Sequence, residues 1–168
     1  MNRPPAGVAE GRLSRVVLDG EIGSTLPPAI EADRAQAIAD LTAENQFVPL
    51  TVRSATPAQG PFVLHLALRD GRLVFDIRRG NGNRLAVVGL ALGPFRRLMK
   101  DYHLLVDSHI KALEEGRGER IQAIDMGRRG LHDEGAALMR ERLAGKIAID
   151  FATARRLFTL VCVMHQRV

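Results

Sequence analysis

The chain has 168 residues, 46% of them apolar and 26% charged, which sets disorder aside and suits a single domain with one core. Its longest apolar run, Leu157–Met164, is far shorter than the roughly 20 residues a membrane-spanning helix needs, and the single cysteine, Cys162, excludes an intramolecular disulfide. The formal charge of +5 rests on 24 basic residues of which only Lys100, Lys111 and Lys146 are lysines. An arginine skew of that kind beside abundant Ala and Gly is what a G+C-rich genome writes whatever the protein does, and the acids are interleaved with the bases rather than segregated as in most nucleic-acid readers.

Residues 1–11, with Pro4, Pro5 and two glycines, read as a tail, and 12–168 as one domain. No apolar segment of signal-peptide type stands at the start, so a cytoplasmic location is expected. Arg12–Asp19 carries Leu13, Val16, Val17 and Leu18 and predicts a first strand. After a turn-rich loop, Pro28 suits the first turn of a helix, and Ala29–Asn45 places Ile30, Ala37, Ile38 and Leu41 at helical spacing. Phe47–Arg53 predicts an edge strand, since Pro49 cannot donate to a ladder.

Strict alternation follows. Phe62, Leu64, Leu66 and Leu68 share one face of Pro61–Arg69, Asp70-Gly71 makes a two-residue hairpin turn, and Leu73, Phe75 and Ile77 continue the inner face over Arg72–Arg78. Leu85–Leu92 completes a three-stranded meander. The glycine-rich Gly80–Asn83 joins two strands rather than a strand to a helix, so it reads as a hairpin tip and not as a phosphate cradle.

Gly93-Pro94 opens a long helix whose stripe is Phe95, Leu98, Met99, Tyr102, Leu105, Val106, His109, Ile110 and Leu113. A second helix begins near Glu119 with Ile121, Ile124, Leu131 and Leu138 on one face; its glycines at 127, 130 and 135 weaken its interior and leave open whether it breaks near Gly130. Lys146–Ile149 is a short strand or linker. Asp150 is placed to cap a last helix, Phe151 to about Gln166, which is apolar nearly all round from Leu157 and so should lie at the centre. Leu104 and Leu160 point away from their stripes, so either more helix packs there or the protein uses a partner surface, and a homodimer through the helical layer would account for both. Strands first and helices later give an α+β fold, with an antiparallel sheet of about four strands packed on one side by three or four helices.

Several runs resemble a bacterial uncharacterised protein family, number 0262 in its series. They are Asn45–Pro49, Leu73–Ile77, Pro94–Arg97, Ile124–His132 and Asp150–Leu160. The similarity spans most of Asp40–Gln166 and departs from the family pattern at Asp133, where Asn is expected. It implies a compact bacterial cytosolic domain and brings no chemistry with it.

The common catalytic fingerprints are absent from the sequence, and no cofactor is implied by motif. The best chemical candidates are Asp125, Arg128, Arg129 and His132. On a continuous helix they fall within about 100° of one another, so two guanidiniums could grip an anion while His132 carries a proton and Asp125 orients it. The plainer alternative is a structural network in which Asp125 pairs with Arg129 and Arg128 satisfies an acid. His109, His165 and Tyr102 are secondary candidates from the apolar stripes, and three converging histidines would suit a divalent metal, although their spacing matches no metal motif. Arg96, Arg97 and Lys100 form a basic face. Cys162 reads as an inert buried thiol. Function divides three ways: first, a non-enzymatic binding or scaffold protein acting through its helical surface, with a protein partner or a second copy; second, a small-anion or phosphate site or enzyme at Asp125–His132; third, an RNA- or DNA-binding module using paired arginines.

Overall fold

A computed structural model of the chain describes residues 11–19, 26–50 and 60–165. The chain runs β1 (Leu13–Leu18), α1 (Pro28–Ala43), β2 (Phe47–Pro49), β3 (Phe62–Arg69), β4 (Arg72–Arg79), β5 (Arg84–Ala91), a single 3-10 turn at Gly93–Phe95, α2 (Arg96–Glu114), α3 (Gly118–Leu143), β6 (Ile147–Ile149) and α4 (Phe151–Met164). The fold is α+β as expected: a four-stranded, mostly antiparallel sheet in the order β1-β3-β4-β5, plus a two-stranded β2-β6 ribbon, with four helices.

The meander forms because its alternation and its turns agree. Asp70 and Gly71 both take positive φ, 52° and 71°, as a type I′ hairpin turn requires. The register Leu64↔Ile77, Leu66↔Phe75 and Leu68↔Leu73 then puts one row of large side chains on a single face. That face is buried, and it shares one core with Leu98, Met99, Tyr102, Leu157, Phe158 and Val161 from the helices. The sheet is not wholly antiparallel, however. β1 lies parallel to β3, with Val16 opposite Leu64 and Leu18 opposite Leu66. A parallel pair needs a crossover between its strands, and α1 with β2 supplies it. Periodicity reveals which residues face inward but not which strand lies alongside.

The strand expected over Phe47–Arg53 is ordered as β2 only to Pro49; residues 51–53 lie outside the described residues. β2 pairs antiparallel with β6, Phe47 opposite Ile149, so Lys146–Ile149 supplies a strand and Pro49 does sit in a two-stranded ribbon, where every strand is an edge. Two polar ties hold this ribbon to the main body. Asn45 accepts from the Leu13 N–H at 2.7 Å and donates to the Leu13 and Leu41 carbonyls, and the Gln46 N–H donates to the buried Thr153 hydroxyl at 3.0 Å. Asp150 caps α4, its carboxylate accepting the Thr153 N–H at 3.0 Å.

The helical layer settles two points the sequence left open, in α3 and at Leu160, and departs from expectation at Leu113. α3 does not break at Gly130; it is continuous over 26 residues. Leu160 is fully buried because α4 packs against α1, α2 and α3, the further helix packing that is one of its two expected explanations. Leu104 is exposed as expected, and so, unlike the rest of its stripe, is Leu113. No helix among the described residues is long and apolar enough to cross a membrane.

Candidate functional site

Three helices enclose a cleft of about 360 Å³, to which α1 gives Asp33, Gln36 and Asp40, α3 gives Arg128 and His132, and α4 gives Arg155, Arg156 and Thr159. Each helix contributes a polar strip beside its apolar stripe. On α4 the positions 152, 155, 156 and 159 fall within about 100° of arc, a single polar seam on an otherwise apolar helix.

At the inner end Asp33 is the hub. Its carboxylate accepts the Tyr102 hydroxyl at 2.7 Å and the Arg128 guanidinium at 3.1 Å to both oxygens. Tyr102 is 1% exposed, and burial, then the negative charge of Asp33, push its phenol well above the usual range, so it stays protonated and donates to Asp33. Next to this hub His132 places Nδ1 3.1 Å from the Thr159 hydroxyl, which also donates to the Arg155 carbonyl at 3.1 Å. When that hydroxyl gives its one proton to the carbonyl, the imidazole donates from Nδ1 and Nε2 is left as an acceptor. Tyr102 and Phe158 meet the imidazole ring edge-on at 6.2 and 5.8 Å. Burial, then the charges of Arg155 and Arg128, depress the His132 pKa to about 4.

That depression sets a pH dependence. Above its unfolded value of 6.5, His132 is neutral in both states; as pH falls from 6.5 toward about 4, the unfolded chain takes the proton first and the fold loses stability. The expected loss, discounted for the partial exposure of the ring, is on the order of 2 kcal/mol. Urea melts of the native protein and of His132→Gln between these pH values check it: the native protein should lose stability with acid more steeply than the variant, and parallel slopes would show that His132 does not titrate differently on folding.

Toward the mouth the pairing is looser. Arg155 Nε is 3.4 Å from Asp133, and Arg156 Nε is 4.0 Å from Asp40, whose other oxygen accepts from Gln36 at 2.8 Å. Both guanidiniums remain partly exposed.

Of the residues proposed from sequence, Arg128 and His132 come together here and Asp125 and Arg129 do not. Asp125 lies on the other side of α3's reach, 3.9 Å from His109 of α2. The wheel angle was compatible, but seven residues of helical rise separate Asp125 from His132 by roughly 10 Å, a distance the projection hides. Thr159, not Asp125, orients the imidazole. Arg129 is exposed outside the cleft. The three histidines do not meet: His165 falls beyond α4, exposed, with its carbonyl accepting from His103 at 2.8 Å, and among the described residues no group of three His, Cys, Asp or Glu could hold a metal. Arg96, Arg97 and Lys100 are all exposed on α2, and Arg97 bonds to Asp101 and Glu134. Cys162 is buried, and burial raises its pKa well above the usual thiol value, which leaves no thiolate to react.

Asp33, Arg155, Arg156 and Thr159 were absent from the expected set. Asp33 had a signal: it stands within about 60° of Ile30 and Ala37 on α1, a carboxylate bordering a core stripe. The α4 seam had one too, although Arg155 and Arg156 belong to the same run that carries the family resemblance.

Comparison with known proteins follows the same residues. A profile of the uncharacterised protein family UPF0262 matches residues 10–167. A UPF0262 protein of Granulibacter bethesdensis is 63% identical over 98% of this chain and 95% of its own length. One of Acidiphilium cryptum is 56% identical over 96% and 98%, and one of Rhodopseudomonas palustris is 46% identical over 98% of each. No solved structure matches the chain.

Proposed function

The chain belongs to the uncharacterised protein family UPF0262, and for this member we propose a non-enzymatic binding function in which the helical surface takes a small anionic ligand, a phosphate or carboxylate, into the cleft between α1, α3 and α4. One observation carries this: Arg155 and Arg156, adjacent on one helix, reach the cleft with pairs no tighter than 3.4 and 4.0 Å. Guanidiniums held that loosely can turn to an incoming oxyanion at small cost, and their fork matches it bidentately. Arg128, by contrast, is committed to Asp33 at 3.1 Å and shapes the wall.

Binding fits better than catalysis because of His132. A general base works best with a pKa near the operating pH, and one held at about 4 is a weak base. Its acceptor Nε2 suits a ligand hydroxyl or a protonated oxygen instead. Seated beside Arg155, a bound anion would also offset the charge that depresses His132.

Inorganic phosphate is the first probe. Millimolar phosphate should raise the melting temperature of the native protein and lift the His132 pKa, followed by NMR of the imidazole, while an equal concentration of chloride does neither. Arg155→Ala with Arg156→Ala should abolish both effects, and Arg97→Ala should leave them intact. A phosphate response that survives in the double variant, or none at all with phosphate and citrate, would overturn the assignment.

A further inference from the structure

The second face of the four-stranded sheet carries a pattern that the cleft does not use. Along one end the registers place Arg15 beside Val63, Val63 beside Arg78, and Arg78 beside Arg84. At the other end Arg69 stands beside Arg72. Two arginine rows therefore bound this face, about six residues apart, which is roughly 20 Å of strand. Between them lies a low floor of Val17, His65, Ala67, Val74, Val87 and Gly89 on the same face. Arg72 lies across that floor: its Nη1 is 3.9 Å from where a Cβ on Gly89 would stand.

The acids here do not cancel the rows. Asp76 receives Arg78 at 2.8 Å and Arg84 at 3.1 Å, and these bonds, Arg78 first, hold its carboxyl below the usual range; it fixes two guanidiniums side by side. Asp19 pairs with His65 at 3.1 Å. Among the described residues Arg15, Arg69 and Arg72 have no ion-pair partner. Five arginines thus share one face with two carboxylates, Asp19 and Asp76, in contrast to the interleaved charges of α2 and α3.

We infer that this sheet face binds single-stranded nucleic acid, its arginine rows holding backbone phosphates across the low floor. Charge complementarity selects a polyanion. Nucleic acid fits better than a basic or neutral partner on charge alone, and the recess between Asp19, His65 and Asp76, about 200 Å³ with Ala67, Val74 and Val87 in its lining, is small for an anchoring aromatic side chain. Small floor residues leave room for planar bases, and guanidinium planes can stack on them. Among the described residues the imidazole of His65, held by Asp19, is the one ring on the floor, so the binding should be nearly indifferent to sequence and driven by phosphate contacts.

Fluorescence anisotropy with a labelled oligouridylate of about 15 nucleotides tests this. The native protein should bind at about 50 mM salt and weaken steeply by about 200 mM. Replacing Arg15, Arg69 and Arg72 together by alanine, all at exposed positions where the fold should survive, should weaken binding at least tenfold and flatten the log–log salt slope by about 2. The triple lysine variant should keep most of the slope, which separates charge from misfolding. Binding unchanged in the alanine variant, or lost instead on replacing Arg96 and Arg97, would overturn the assignment. So would a labelled polyglutamate peptide that binds as tightly at the same salt, since the face would then be a site for acidic protein. Failure of the phosphate response in the cleft would leave this result untouched.

Discussion

Replacing Asp33 by alanine should lower the unfolding free energy by about 3 kcal/mol in urea titration. The carboxylate is 22% exposed and serves two groups at once, a tyrosine hydroxyl with almost no access to water and a guanidinium 27% exposed. Removing it strands both: the phenol keeps its desolvation cost without an acceptor, and Arg128 becomes a half-buried cation without a counter-charge. Asp33→Asn retains an acceptor for Tyr102 but no charge for Arg128, and should lose about half as much. Tyr102→Phe removes a hydroxyl whose partner keeps Arg128, so its loss should be smaller still, about 1 kcal/mol. A loss from Asp33→Ala no greater than that from Tyr102→Phe would show that the Arg128 pair adds nothing to stability.

The other large effect lies on α3. A methyl group added at Gly135 would sit 2.4 Å from Cδ1 of Phe158 and 2.5 Å from two further ring atoms. Phe158 is fully buried, against Phe95 on one side and His132 on another, so the ring has nowhere to retreat. Gly135→Ala should therefore destabilise by about 3 kcal/mol through overpacking, despite alanine's better helix propensity. Gly130→Ala is the matched control. Nothing stands within 4 Å of a Cβ there, and the substitution should stabilise by about 0.5–1 kcal/mol. If both changes stabilised the protein, the close approach of α3 to α4 at Phe158 would be wrong.

These two glycines show what periodicity can and cannot reveal. Three glycines in the interior of a 26-residue helix argue for a break when only propensity is weighed. The helix survives because packing decides: Gly135 lets α4 come close, and the cost of its missing side chain is offset by the contact with Phe158. The β3–β4 hairpin was legible because alternation and turn chemistry agreed residue by residue, down to the positive φ at Asp70 and Gly71. The parallel β1–β3 pair was not, since Val16 and Leu18 announce an inward face without naming a neighbour. The cleft was legible by half. Arg128 and His132 stand one turn apart on one helix and could be found together, whereas Asp33 lies 95 positions away from Arg128 and meets it only through the tertiary fold. Where a site is assembled from three helices, a wheel drawn on one of them can supply at most one wall.

The ribbon of β2 and β6 bears on the order in which the molecule is made. It joins Phe47 to Ile149, and a few residues on, Gln46 leans on Thr153 across 107 positions. α1 likewise finds its main helical partner in α4. While the chain emerges from a ribosome, the meander can close from local contacts as soon as β5 is out, but the core it shares with all four helices is complete only when α4 arrives. During that interval Phe62, Leu64, Leu66, Phe75 and Ile77 present an open apolar sheet, the kind of surface on which nascent chains recruit chaperones or adhere to one another. Synthesis rate through the α2–α3 stretch thus sets how long that surface stays uncovered.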